Sequence, residues 1–210
     1  MYLENINGPS DIQKLNLDEL RILADETRDA LIHKISLAGG HNGPNLGMVE
    51  VTTALHYVFH SPIDKFVFDV SHQSYPHKIL TGRKQAFLDE EHFHDVTGYT
   101  NPEESEHDFF TIGHTSTSIS LALGLAKGRD LNHGKENIIA IIGDGSLSGG
   151  EALEALDYAG EYRNNLIIIV NDNDQSIAEN HGGLYKNLKE LRESNGNCTN
   201  NIFESFGLEY

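Results

Sequence analysis

Tryptophan is absent from this 210-residue chain, cysteine occurs once, methionine twice and proline five times. A lone Cys198 excludes a disulfide framework and suits a reducing compartment. Basic residues are also scarce: 15 Lys and Arg face 32 Asp and Glu, a formal charge of −17 with histidine neutral. Such an excess repels polyanions and argues against nonspecific nucleic-acid binding. Any anionic small ligand must then be held by local dipoles, a metal ion or a few basic groups. Long apolar runs are missing, since no stretch approaches the ~20 residues that cross a bilayer. The start, Met1-Tyr2-Leu3-Glu4-Asn5, has neither the basic nor the apolar region of a signal peptide. The expectation is a soluble, cytoplasmic protein whose residues 1–210 make a single domain.

Residues 1–16 read as a lead-in, broken at Gly8-Pro9-Ser10. Helical spacing of Leu20, Ile22, Leu23, Ala24, Ala30, Leu31 and Ile35 predicts a helix from Leu17 to about Ile35, ended by Gly39-Gly40. A second helix is expected over Met48–Phe59, and a strand over Phe66–Val70. Residues 83–111 are polar and acidic, without periodicity, and read as a long surface loop. Beyond it, Ser118 to about Arg129 is helical. The apolar runs Ile138–Ile142 and Leu166–Val170 have the character of strands buried on both faces, with a helix over Gly149–Ala159 between them. Strand, helix, strand is a βαβ unit, which predicts an α/β fold with a parallel sheet flanked by helices. Further helices are expected near Leu184–Leu191 and Ile202–Phe206, and Gly207-Leu208-Glu209-Tyr210 reads as the opening of another strand.

The sharpest chemical feature is Gly143-Asp144-Gly145-Ser146-Leu147-Ser148-Gly149-Gly150-Glu151, directly after the first apolar run. Backbone amides at such a turn can hold phosphate, although a tight βα turn without a ligand has the same look. No Gly-Lys-Ser/Thr is present, so a Walker-type site is excluded. The second run ends in Asn171-Asp172-Asn173-Asp174, and adjacent parallel strands bring their carboxyl ends together, where open α/β sheets bind ligands. Asp144 and Asn173 would there offer two oxygen donors beside a phosphate-binding turn. That chemistry suits Mg²⁺ or Ca²⁺ bridging to a diphosphate. The metal would also screen a diphosphate from an acidic protein.

Gly143-Asp144-Gly145, then 27 residues, then Asn173 resembles the thiamine-diphosphate signature of transketolase-like enzymes. Gly39-Gly40-His41, the stretch Asp69-Val70-Ser71-His72-Gln73-Ser74-Tyr75-Pro76-His77-Lys78-Ile79-Leu80-Thr81-Gly82-Arg83, and Gly113-His114-Thr115-Ser116-Thr117-Ser118-Ile119-Ser120 resemble 1-deoxy-D-xylulose-5-phosphate synthases in particular. The resemblance covers nearly the whole chain. It implies the diphosphate-binding fold of these enzymes and the cofactors thiamine diphosphate and Mg²⁺. Asp144 and Asn173 would ligate the metal with the backbone carbonyl of Gln175. Gly145 and Ser146 would contact the diphosphate, and His72, Gly113, His114 and Thr115 would line the cofactor site. His41, with His72 and His114, would handle protons on substrate oxygens. The implied reaction condenses pyruvate with glyceraldehyde 3-phosphate and releases carbon dioxide. A transketolase-like ketol transfer and a non-catalytic, Mg²⁺-dependent phosphate-binding module are the alternatives.

Two departures bear on the substrates. Pro44 stands where the family commonly has Ser, and Asp89-Glu90-Glu91-His92-Phe93-His94-Asp95 replaces sequence that is often basic and Gly-rich. The bland readings place His33, His56, His60, His133 and His181 on the surface, His92 and His94 in a solvated acidic loop, and Asp69 and Glu50 in structural roles. Ser116-Thr117-Ser118 could cap the following helix. The resemblance also implies that the pyrimidine-binding and C-terminal domains are missing. The expectation is a truncated chain, whether fragment or split subunit, that is inactive alone, self-associates and awaits a pyrimidine-binding partner in cis or as a separate chain.

Overall fold

The computed structural model describes residues 1–162, 165–175 and 178–210. It divides into two compact units, Met1–Gly113 and His114–Tyr210. In the first, α1 (Pro9–Ile12) leads to α2 (Leu17–Ala38), α3 (Asn42–Leu46) and α4 (Val49–Val58), followed by β1 (Lys65–Phe68), α5 (Tyr75–Lys78) and α6 (Gln85–Leu88). In the second, α7 (Ser118–Leu131), β2 (Ile138–Gly143), α8 (Asp144–Leu147), α9 (Gly150–Tyr162), β3 (Leu166–Asn171), α10 (Gly183–Glu193) and α11 (Ile202–Ser205) follow in order.

The long helix α2 starts where its cap dictates. The Asn16 side chain accepts from the amides of Asp18 and Glu19, while Glu19 Oε2 accepts from the Asn16 amide at 2.8 Å. This reciprocal box satisfies donors that a helix start otherwise leaves open. Its inner face buries Leu20, Leu23, Ala24, Thr27, Ala30 and Leu31. Against that face pack Leu3, Ile6 and Ile12, together with Ile79, Leu80 and Phe87. Lys34 is also buried, its ammonium 4.2 Å from the centre of the Phe87 ring. The helix stops at Gly39, whose φ of 76° takes the left-handed region.

The first unit differs from expectation at several points. The lead-in is not loose: Leu3, Ile6 and Ile12 belong to the core, and α1 lies within it. The strand ends two residues early, at Phe68, because Val70 and Ser71 adopt φ of 57° and 65°, incompatible with a ladder. The 83–111 stretch is not merely a surface loop. It carries α6 and buries Phe87, Phe93, Thr100 and Asp108. His56, expected on the surface, is fully buried.

In the second unit β2 runs parallel to β3, with Ile138 opposite Leu166 and Gly143 opposite Asn171. Helix α9 makes the crossover, as the βαβ reading requires. All five residues of Ile138–Ile142 are inaccessible to solvent. Apolar Ile119, Ala122, Leu123 and Ala126 of α7, and Ala152, Ala155 and Leu156 of α9, are buried with them. Every residue of β3, expected to be covered on both faces, is only half-buried. It borders an open groove of about 910 Å³ lined by Leu156, Leu188, Leu191 and Phe203. Gly207–Tyr210 forms no strand; the Tyr210 ring stacks on Phe203 at 5.5 Å instead. The sequence after Asn171 reads as a polar turn before the Leu184–Leu191 helix, and residues 176–177 of it lie outside the described residues. No helix among the described residues is long and apolar enough to cross a membrane.

Candidate functional site

In the first unit, the backbone itself delivers two of the three histidines singled out in the sequence, His41 and His72. After Gly39, Gly40 takes φ 140°, and a Cβ there would lie 2.9 Å from the Tyr75 hydroxyl. Only glycine allows both the conformation and the approach, and His41 follows at once. On the other side, the left-handed pair Val70-Ser71 turns the chain out of β1 directly into His72. A β-branched residue in that region stores strain, which the surroundings must hold in place. Ser71 provides the hold: its Oγ donates to the Ile112 carbonyl at 2.9 Å and accepts from the Thr100 amide at 3.0 Å.

The result is a ring cluster. His41 and His72 meet edge to face at 5.3 Å, and His41 also meets Tyr99 at 5.6 Å and Tyr75 at 6.4 Å. Asn45, fully buried, ties the cluster together. Its Nδ2 donates to the carbonyls of His41 (2.6 Å) and His72 (2.8 Å), and its Oδ1 accepts from the Tyr75 amide at 2.8 Å. The Nδ1 atoms of His41 and His72 are buried without a hydrogen-bond partner among the described residues. Burial, reinforced by the neighbouring His41, pushes the His72 imidazole below its ordinary pKa, so it is neutral near pH 7. Sequence reasoning missed Asn45, Tyr75 and Tyr99. Asn45 stood beside the noticed Pro44, but nothing in a short Gly-Pro-Asn segment announces a buried amide.

A second polar network lies behind β1. Asp108 accepts from Arg83 through both oxygens (2.7 and 3.0 Å), from His77 Nε2 at 3.1 Å and from the Asn101 amide at 2.8 Å. His77 Nδ1 in turn lies 3.0 Å from His56 Nε2. The carboxylate only accepts, so His77 carries its proton on Nε2 and accepts at Nδ1 from the Nε2–H of His56. Glu104 pairs with both Lys78 and Arg83 and accepts from the Thr97 amide at 2.7 Å. These bonds fix the stretch that carries Tyr99.

In the second unit, β2 ends on Gly143 opposite Asn171, so the residues that follow each strand, Asp144 and the 172–175 turn, emerge at one end of the strand pair. Asp144 is 3% exposed, and burial followed by the Asp172 carboxylate pushes its carboxyl up. Asn180 Nδ2 donates to Asp144 Oδ2 at 2.8 Å, while Asn173 Oδ1 accepts locally from the Gln175 amide at 3.1 Å. Ser116 Oγ donates to the Ser146 carbonyl at 2.8 Å, and Ser148 Oγ to that of Gly145 at 3.2 Å. Helix α7 starts at Ser118 with Thr117 as its N-cap; the Thr117 side chain makes no capping bond, and its Oγ1 donates instead to the His114 carbonyl at 3.3 Å. Gly113, the last residue of the first unit, is exposed, as are His114 and Thr115, which open the second; the His114 ring lies 2.8 Å from the Thr115 carbonyl through Nδ1.

The donor set fits a hard divalent ion. It offers one buried carboxylate, one exposed amide and main-chain carbonyls at the head of a parallel strand pair, all oxygen ligands of the kind Mg²⁺ prefers. Among the described residues no group of three or more His, Cys, Asp or Glu is gathered as an alternative metal centre.

Comparison with known proteins places this arrangement. Solved transketolases share the fold: that of Campylobacter jejuni superposes with a TM-score of 0.69 at 20% identity over 92% of this chain and 33% of that one. That of Leishmania mexicana gives 0.63 at 22% identity over 75% of this chain and 28% of that one. Curated 1-deoxy-D-xylulose-5-phosphate synthases are much more similar in sequence. The protein of Caldanaerobacter subterraneus is 50% identical over 190 residues, 90% of this chain and 30% of its own length. That of Halalkalibacterium halodurans is 51% identical over 192 residues, 91% of this chain and 30% of its own length. The chain therefore spans about 30% of the length of these relatives. The family model described as 1-deoxy-D-xylulose-5-phosphate synthase matches residues 3–210, and the chain belongs to that family, of which it represents the N-terminal domain.

Proposed function

We propose that this chain is the thiamine-diphosphate- and Mg²⁺-binding part of an enzyme that condenses pyruvate with glyceraldehyde 3-phosphate, releasing carbon dioxide. The observation that carries the reading is the register of β2 on β3, which sets Asp144 and the turn holding Asn173 at one end of the strand pair. Asp144, Asn173 and the carbonyl of Gln175 would hold the metal, and the Gly145 and Ser146 backbone would contact the diphosphate. Gly113, His114 and Thr115 would line the cofactor. Bound thiamine diphosphate supplies the electron sink for breaking a bond beside a ketone.

The side chains of this chain do the rest. His41 and His72 each present a buried, unpartnered Nδ1 that can hold or pass a proton at a substrate oxygen. Neutral His72 is suited to accept, since burial keeps it unprotonated near pH 7. His114, exposed, is the third proton-handling group of the proposal. Asn45 fixes the spacing of the first two. The pocket for the pyrimidine end of the cofactor would come from a further domain in cis or from a separate chain, so the segment alone turns over weakly or not at all.

Isothermal titration with thiamine diphosphate, with and without Mg²⁺, tests the binding half. Metal-dependent binding that falls at least tenfold in Asp144→Ala and in Asn173→Ala supports it. Equal binding of unrelated nucleotides would overturn it in favour of a generic phosphate-binding module. On the complete protein, product formation from pyruvate and glyceraldehyde 3-phosphate tests the reaction. Turnover only with ketose donors and no carbon dioxide release would assign ketol transfer instead.

A further inference from the structure

The 172–175 turn is held from outside by one residue of α10. Arg192, in the last turn of that helix, reaches two carboxylates at once. Its Nη1 pairs with Asp172 Oδ2, and its Nη2 lies 3.3 Å from Asp174 Oδ2. These two carboxylates flank Asn173 on either side. Within the turn, Asp172 Oδ1 accepts from the Asp174 amide at 3.1 Å, and Asn173 Oδ1 from the Gln175 amide at 3.1 Å. Asp174 itself is left-handed, with φ 61°. Asn180 adds a tie, its amide on the Asp174 carbonyl at 3.4 Å and its side chain on Asp144 at 2.8 Å.

We propose that Arg192 is a positioning residue for the metal-binding turn: its two-pronged guanidinium pairs with Asp172 and Asp174 where they stand and leaves Asn173 and the Gln175 carbonyl to serve the divalent ion. The inference rests on the cofactor reading given above. Its logic is a matter of ligand competition. Hard divalent ions prefer carboxylates, and two loose ones beside Asp144 would offer a different, all-acidic site with no need of a diphosphate. A planar fork suits this task better than an ammonium, which holds one carboxylate as a point charge. The Arg192 and Asp174 side chains are 33% and 45% exposed, so that pair adds little to global stability, and Arg192 itself stays a third exposed where it meets the more buried Asp172, at 13%. Removing the fork should therefore disturb the turn without unfolding the chain.

The test uses Arg192→Met and Arg192→Lys in the same chain as wild type. Three quantities are measured: thiamine diphosphate affinity at fixed Mg²⁺, affinity for Mg²⁺ alone, and hydrogen exchange of the Asp174 and Gln175 amides without cofactor. The expected result for Arg192→Met is a tenfold or greater loss of cofactor affinity, tighter binding of Mg²⁺ alone, and faster exchange at both amides, with Arg192→Lys between. A merely structural role would not strengthen binding of the bare ion. Wild-type cofactor affinity and unchanged exchange in Arg192→Met would overturn the proposal. A wild type that binds no thiamine diphosphate overturns the cofactor reading instead, and the exchange data then decide separately whether Arg192 holds the turn.

Discussion

At the scale of single residues, Asn45 has the clearest task. One buried amide spends both of its N–H groups on carbonyls that belong to His41 and His72, and its oxygen on a third backbone group. Aspartate has the same shape but cannot donate, and its charge would face two carbonyl oxygens. Asn45→Asp should cost about 1–3 kcal/mol of stability, the penalty for leaving buried polar groups unpaired. Thermal unfolding measures this directly. If His72 lines the cofactor site as proposed, the same variant should also weaken thiamine diphosphate binding beyond the stability loss, because the spacing of the two imidazoles depends on the clamp. Unaltered melting and affinity would mean that the carbonyls find other donors and that the amide is dispensable.

At the scale of elements, close approaches of backbone decide what the glycines do. Gly160 on α9 faces the carbonyl oxygen of Phe206, just past α11, so closely that a methyl group would overlap it. The obstacle is backbone, not a side chain that could swing aside. Gly160→Ala should therefore destabilise the second unit by about 1–3 kcal/mol despite alanine's better helix propensity. A lower urea midpoint without loss of helical signal is the expected observation. This contact also shows where the sequence was silent. The strands Ile138–Ile142 and Leu166–Val170 were legible because long-range packing and local pattern agree there, as were the body of α2, though not its Asn16 cap, and the place of Asp144 at the end of the first of these two strands. The Asn45 clamp, the Asp108 network and the β3 groove were not, because each depends on partners distant in the chain. A polar stretch such as 83–111 looks solvated when Asp108 and Glu104 are counted as acids. It becomes partly interior once Arg83, Lys78 and His77 are seen to pair with them. Likewise His56 reads as one of many surface histidines until His77 supplies its partner.

At the scale of the whole molecule, those buried histidines couple folding to proton uptake. Burial, with the nearby charges of His77, His107 and Arg83, holds His56 well below its usual 6.5. Burial outweighs the pull of Asp108 and lowers His77 as well; half-buried His107, whose ring lies 6.4 Å from that of His77 and whose Nδ1 is 2.8 Å from Ser61 Oγ, is lowered to about 4 by burial with His77 and Arg83. The unfolded chain binds these protons near pH 6.5, whereas the folded chain refuses them until much lower pH. Between those limits the unfolded state holds more protons, so stability rises with pH and is lost on acidification, by about 1.4 kcal/mol per pH unit for each group. His72 acts in the same direction. Exposed His92, raised by its hydrogen bond to Asp95, acts in the opposite one. Burial opposes ionisation of Asp108, yet its bonds to His77 and Arg83 keep its carboxyl well below the carboxylate range, so its own contribution disappears only under more acidic conditions. Urea midpoints at half-unit steps from pH 7.5 to 5 should fall steadily below 6.5, and His107→Asn should flatten the slope. A midpoint indifferent to pH across that interval would mean that the Asp108 network already takes up a proton near neutrality, and the assignment of its histidines as neutral would have to be abandoned.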